Sequence, residues 1–307
     1  MNGLTRKWFA AAILLFPVLV IAGCGDDNPS GVANDQAPAL PDQQSFSMDN
    51  SAFPESQELG DKPSNGLRDI IWEDTGDRDG SGKGTPDVSG APVADSASYS
   101  NYVAGRTVVG VARAAVVAFS AAPASAFAGA FNATPAQQSD GSWTWSYAIV
   151  YGSASYNLAL NGAPSVDRVD WSMRVTTTGL AQNVTNFLWF SGQTQNGGGA
   201  GYWQVYDALQ PEAPANLIRV DWSRVSAGSW TATWLNNRVG SYAYGDNLAY
   251  SEIAADASVT YTRGSDGDES FVRWNMATTA GSVRLPVYNG GQEACWDASH
   301  FNSSCSQ

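Results

Sequence analysis

Arg168-Val169-Asp170-Trp171 returns as Arg219-Val220-Asp221-Trp222, with a looser echo at Phe271-Val272-Arg273-Trp274-Asn275. In each copy charged or polar residues alternate with Val and Trp. That is the period of two of a strand with one buried and one wet face. The same alternation extends outward from about Ser142 to Tyr288. It predicts strands near 142–151, 154–161, 166–176, 184–191, 200–207, 216–223, 229–236, 245–252, 257–264, 268–276 and 281–288. Gly and Asn turns separate them, among them Gly152, Asn161-Gly162, Gly197-Gly198-Gly199 and Asn289-Gly290-Gly291. No helical stretch intervenes, so consecutive strands form an antiparallel meander. About eleven strands on one sheet curl strongly or close. The predicted fold is mainly β, a large antiparallel meander curled as a barrel or half-barrel, with one N-terminal helix on its apolar inner face. A two-sheet β-sandwich is the alternative.

That helix is read at Tyr99 to Ala121. Val108, Val111 or Ala112, Ala115 and Phe119 follow helical spacing, and Val109 and Val116 widen the stripe. Asp95, Ser96 and Ser98 offer N-caps. Pro123 is expected to end the helix, with a short helical turn at Ala124 to Phe131. Burying Arg106 and Arg113 argues against a membrane span here.

The chain begins with a basic pair, Arg6 and Lys7, and an apolar run from Trp8 to Ile21 that is short for a membrane span. The run ends in Ile21-Ala22-Gly23-Cys24, which resembles the lipobox of bacterial lipoproteins. The resemblance implies a signal peptide over 1–23, cleavage before Cys24, and acyl chains (palmitate among them) on Cys24 that hold the protein at a membrane. Gly25, rather than Asp, follows the cysteine, which implies the outer membrane of the cell envelope. Asp26-Asp27 resembles the acidic pair of surface-exposed lipoproteins. Residues 24–94 are rich in Asp, Ser, Pro and Gly and read as the lipidated Cys with an acidic, disordered tether. Two pieces of it are apolar enough to dock: Ser45-Phe46-Ser47-Met48 with Phe53, and Leu67 to Trp72. Asp77-Arg78-Asp79-Gly80-Ser81-Gly82 resembles the start of a calcium loop. Gly84 and Val88 stand where that loop needs an apolar residue and a bidentate Glu, so no metal is assigned. The helix and β-domain then fill 95–307.

The formal net charge is −13, and loss of Arg6 and Lys7 with the leader makes it more negative. The acidity concentrates before residue 97, and no basic stripe exists to neutralise phosphates, which argues against nucleic acid. In an exported protein, Cys295 and Cys305 read as a disulfide. With only His300 between them they fall short of a four-ligand metal site.

Catalytic vocabulary is thin. The single His, His300, sits in the predicted disulfide loop, and no nucleophile elbow, zincin motif or phosphate loop is present. No catalytic residue and no cofactor is assigned, and enzyme activity is left open. Asp170 and Asp221 occupy equivalent positions, so paired-carboxylate chemistry stays open. Each, however, stands two residues from an Arg on the same face, as on a wet sheet face decorated with ion pairs. The candidate polar surface is therefore Arg168, Asp170, Arg219, Asp221 and Arg273. Ten of the twelve Trp lie between Trp143 and Trp296. They can fill a core, stack on sugar rings or wrap acyl chains.

Several features together resemble an uncharacterised family of bacterial lipoproteins. These are Ala39-Leu40-Pro41, the Val/Ala-rich helix closing on Ala121-Ala122-Pro123, Thr134-Pro135, the strand Trp143–Tyr147, Trp274-Asn275, and Cys295-Trp296-Asp297 before a last Cys. The resemblance covers most of the mature chain and implies no particular activity. At fold level the arrangement is also similar to lipoprotein-carrier half-barrels, an architectural likeness only. Three functions follow as expectations. The first is a non-catalytic module binding a ligand or partner, for which an exposed Trp row would indicate a glycan. The second is a carrier of lipid or another apolar ligand, which needs an empty apolar cavity between helix and sheet. The third is a glycoside hydrolase-like enzyme, which needs two converging carboxylates.

Overall fold

The computed structural model describes residues 36–46, 48, 98–195, 197–207, 215–226, 228–241 and 243–305. The leader, Cys24, the calcium-like stretch, Phe53 and Leu67 to Trp72 lie outside the described residues. Fourteen strands form one antiparallel sheet: β1 (Pro135–Gln137), β2 (Trp143–Tyr151), β3 (Ala154–Pro164), β4 (Arg168–Thr178), β5 (Phe187–Gln195), β6 (Ala200–Tyr206), β7 (Asn216–Ser226), β8 (Ser229–Asn236), β9 (Asn247–Ile253), β10 (Asp256–Thr262), β11 (Glu269–Asn275), β12 (Gly281–Arg284), β13 (Ala294–Trp296) and β14 (Asn302–Ser303). Their order in the sheet is their order in the chain, and β1 does not pair with β14. The sheet is thus an open meander. Its terminal strands have three and two residues, and β1 covers β2 only over Trp143–Trp145, so among the described residues Ser146–Tyr151 of β2 also forms an edge. The eleven strands read from the alternation are all present. The three additional ones are too short to show a period.

The alternation places Val169, Trp171 and Met173 of β4 on the buried face, and Val220 and Trp222 of β7 likewise. The register shows what sits beside each Trp. Trp171 faces Gly162 on one side and Gly192 on the other. Trp222 faces Gly201 and Ala232, and Trp274 faces Ala257 and Gly281. Trp203 lies between Gly192 and Val220. Each indole lies over a small neighbour, the large-against-small tiling that lets a face bend inward without voids or overlap. The fit is close. A Cβ at Gly162 would come within 2.6 Å of the Trp171 ring, and one at Gly281 within 2.4 Å of Trp296 and 2.2 Å of the Arg273 carbonyl.

Helix α1 (Ser100–Ala130) packs on this face, burying Tyr102, Val108, Val109, Ala112, Ala115 and Val116. It touches β2 and β3 near its C-terminal end and β10 to β14 near its start. In a flat sheet, β2 and β12 would lie about 48 Å apart, ten spacings of about 4.8 Å. A straight 31-residue helix would span about 46 Å, and this one is bent by 58° between Val117 and Ser120. The sheet must curl for the helix to reach both groups of strands. Pro123 does not end the helix as expected. It lacks an N–H for the carbonyl of residue 119 and clashes with it, and the chain answers by bending there. Glycines allow close approach at both ends, Gly105 against Trp296 and Gly129 against Tyr147. The Tyr147 hydroxyl also donates to the Ala126 carbonyl. No single helix among the described residues is long and apolar enough to cross a membrane.

Part of the stretch read as a disordered tether belongs to the core. Gln43–Phe46 forms a 3-10 turn, and Phe46 (0 % exposed) and Met48 are buried. Phe46 stacks on Trp203 at 4.8 Å and meets Phe127 of α1. Trp203 Nε1 donates to Ser45 Oγ at 3.0 Å, and Arg224 binds Asp42 at 2.7 Å. The buried ring, with a satisfied hydroxyl beside it and Leu40 and Ala37 packed on the core, offsets the ordering of this short segment.

The C-terminus clasps the start of α1. The predicted Cys295–Cys305 disulfide is present. Tyr99 at the N-cap makes no side-chain cap hydrogen bond, and the candidate caps Asp95 and Ser96 lie outside the described residues. Ser98 lies in a short 3-10 turn instead. The cap comes from the far end of the chain, where Asn302 Oδ1 accepts from the Asn101 N–H at 3.0 Å and its amide donates to Ser100 Oγ. Asn101 Nδ2 donates to the Cys295 carbonyl at 2.7 Å, and His300 stacks on Tyr102 at 3.9 Å.

Two outcomes follow from this packing. Gly281→Ala should destabilise the fold by about 1–3 kcal/mol, because buried backbone and a buried ring must move. Gly110→Ala, whose Cβ meets nothing within 4 Å, should stabilise it by about 0.5–1 kcal/mol. Urea unfolding of both variants checks the contrast. Burial lowers the proton affinity of His300, with Asp297 opposing. The unfolded chain therefore takes up its proton first as pH falls. The contribution is full above the ordinary value of about 6.5 and is lost as pH falls from there through the folded value. Urea midpoints measured between pH 7 and 5 should fall more steeply for the natural chain than for His300→Gln.

Candidate functional site

The inner face is packed. Eight Trp are buried there, and Trp143 and Trp189 are half-buried. Among the described residues no Trp is exposed, so the Trp-rich face presents no open stacking row. The helix and Phe46 lie against it in a single apolar cluster.

The outer face holds the predicted polar positions. Arg168 pairs with Asp170 at 3.3 Å, and Arg219 holds Asp221 through two bonds of 2.7 Å. Arg219 also lies over the Tyr202 ring. The hydrogen bond to Asp221 raises the Arg219 pKa above its ordinary value against partial desolvation. Arg273 reaches Glu293 at 2.6 Å and lies over Phe271. The Glu293 carboxyl is held low chiefly by Ser282, with Arg273 adding to it. Asp170 and Asp221 share one cross-strand row through Gln193 and Tyr202. Three strand spacings put them about 14 Å apart, beyond the roughly 5–9.5 Å that carboxylate pairs use on a glycosidic bond. The structure thus brings each Arg to its own acid and does not bring the two acids together.

Other titratable groups are structural by geometry. Asp246, 4 % exposed, accepts from the Tyr261 hydroxyl at 2.5 Å and the Gly264 N–H at 2.8 Å. Burial first, then Asp246, raises the Tyr261 pKa. His300 Nε2 lies 3.0 Å from Thr279 Oγ1, which ties the ring to the loop before β12. Among the described residues no group of three His, Cys, Asp or Glu could hold a metal ion.

Sequence reasoning passed over an open groove of about 500 Å³ on the outer face of β2 to β4, closed at one side by Asn186 in the turn before β5. Its register is Ser146–Ala159–Arg174 in one row and Ala148–Asn157–Thr176 in the next. Small side chains at 146, 148 and 159 open the floor. Arg174 stands at its wall with Asn157, Thr176 and Asn186. Arg174 Nη1 donates to the Asn186 carbonyl at 2.9 Å, and the Asn186 N–H donates to Thr176 Oγ1 at 2.9 Å. Asn186 adopts φ of +50° to make both bonds, a conformation asparagine tolerates well. Six arginines, 168, 219, 224, 263, 273 and 284, are ion-paired. Arg174 makes no ion pair among the described residues. The signal was available in the sequence: where Arg168 and Arg219 have Asp two residues on, Arg174 has Thr176.

No protein-family model matches the chain, and comparison with curated proteins and with solved structures likewise gives no match.

The paired carboxylates of the outer face and the buried Asp246 should respond differently to truncation. Asp221→Ala should change stability by no more than about 1 kcal/mol, as for exposed pairs generally. Asp246→Ala leaves a buried hydroxyl and a backbone N–H without their acceptor and should cost about 1–3 kcal/mol. Equilibrium unfolding of the two variants separates the roles.

Proposed function

We infer that the chain is a membrane-anchored lipoprotein of the cell envelope whose folded part is a non-catalytic binding module. The observation that carries the binding reading is the outer groove. It combines an arginine that makes no ion pair among the described residues with amide and hydroxyl groups, while the Trp-rich face is closed by the helix and Phe46. The groove lining contains neither a carboxylate nor a histidine. A binding surface of this composition orients a ligand by hydrogen bonds and charge, and holds no acid–base pair for bond cleavage. The tight seats of Gly105 on Trp296 and of Gly129 on Tyr147 favour this reading over a carrier with an apolar cavity beneath the helix. The anchor rests on Ile21-Ala22-Gly23-Cys24 and its resemblance to a lipobox. Outer-membrane placement follows from Gly25 in that resemblance, and display at the cell surface from Asp26-Asp27.

Expression of the full chain in a Gram-negative host with labelled palmitate tests the anchor. The natural sequence should incorporate label and lose residues 1–23, as seen by mass spectrometry. Cys24→Ser should do neither. An unlabelled natural chain that keeps its leader would sink the anchor reading.

A further inference from the structure

We propose that the groove on β2 to β4 is a binding site for an acidic saccharide, whose carboxylate is held by Arg174 and whose hydroxyls meet Asn157, Thr176 and Ser146. The proposal deepens the binding-module reading and rests on it. Arg174 is the first element. A guanidinium is planar, carries five N–H donors and suits bidentate capture of a carboxylate. One donor is spent on the Asn186 carbonyl, which fixes the side chain against the β4–β5 turn. The side chain is thereby oriented before a ligand arrives, which reduces the ordering cost of binding. On a chain of net charge −13, a cation with no carboxylate beside it among the described residues is a place where an anion is little repelled.

The remaining lining selects among anions. Asn157 offers both donor and acceptor groups, as do the hydroxyls of Thr176 and Ser146. Sugar hydroxyls also act as both, so neutral groups of this kind match them. Ala148 and Ala159 keep the floor low, and the space of about 500 Å³ falls within the range of about 300–1,000 Å³ usual for small-ligand sites. Asn157 and Ala159 on β3, and Arg174 on β4, have their strands paired on both sides, so a peptide cannot be added as a strand across them; β2, at the rim, is paired with β1 only as far as Trp145.

Titration calorimetry with the full chain in detergent, using a tetra-galacturonate as probe, tests the proposal. The natural chain should bind it, with affinity reduced at least tenfold in Arg174→Gln and in Ala159→Leu, which fills the floor. Arg284→Gln, outside the groove, should bind as the natural chain does, and a neutral tetra-galactose should bind at least tenfold more weakly than the uronate. Equal binding of the neutral and acidic probes would overturn the carboxylate assignment. Unchanged binding in Arg174→Gln would place the site elsewhere and overturn the proposal. So would no detectable binding of the uronate, or inorganic phosphate as the sole ligand. None of these results bears on palmitate incorporation, so a failure of the ligand class is distinguishable from a failure of the anchor reading. Unchanged circular dichroism of Arg174→Gln and Ala159→Leu, both on a wet face, guards against a folding artefact.

Discussion

The contact between tryptophan and glycine on adjacent strands is what the architecture depends on. Trp171 between Gly162 and Gly192, and Trp274 between Ala257 and Gly281, show the rule. A concave face has less area per residue than a convex one. Bulky groups can occupy it only where their neighbours are small. The tiling supplies apolar area for the core and at the same time leaves room for the sheet to bend. The recurrence of Arg-Val-Asp-Trp acquires a physical meaning from this. The unit that repeats is a strand whose Trp is placed opposite small residues on both sides.

The curl then decides where the rest of the chain can go. An open meander would leave its apolar face to water, and α1 together with Phe46 covers it. The bend near Ser120 lets the helix follow a curved surface instead of bridging it. The two chain ends of the domain are joined by short polar links. Asn302 caps the helix across 201 residues of sequence, and the Cys295–Cys305 bridge holds the loop that carries it. A meander makes mostly neighbour contacts, and this clasp supplies a long-range one.

The outer face divides by charge pairing. Most of its arginines are closed on acids and aromatic rings, and exposed pairs of that kind contribute little to stability. Their arrangement keeps a wide sheet face soluble without leaving fields of one sign. Arg174 breaks the pattern, and it does so beside the small residues that open the groove. Among the described residues, a guanidinium without an ion pair and accessible volume coincide there, and the proposed binding role rests on that coincidence.

Much of this was legible in the residues alone. The period of two located eleven strands, because a strand facing water on one side must alternate. It also put Arg168, Asp170, Arg219 and Asp221 on the wet face. The Cys pair and the docking of Phe46 were legible from residue type. The short strands β1, β13 and β14 were not, since two or three residues carry no period. Pro123 was read as a stop, but packing against the curled sheet favoured a bend. The docked residues 36–46 and Met48 look like a spacer by composition, because they sit at the start of a long stretch rich in Asp, Ser, Pro and Gly, and one buried ring hardly changes its average. What the sequence determined by itself is therefore local: which residues extend, and which face each one takes. Register, curvature, the helix cap from Asn302 and the groove at Arg174 were decided only in the tertiary structure. Each of them depends on which residues lie opposite one another on different strands, and that pairing is set by the energy of the whole packed face.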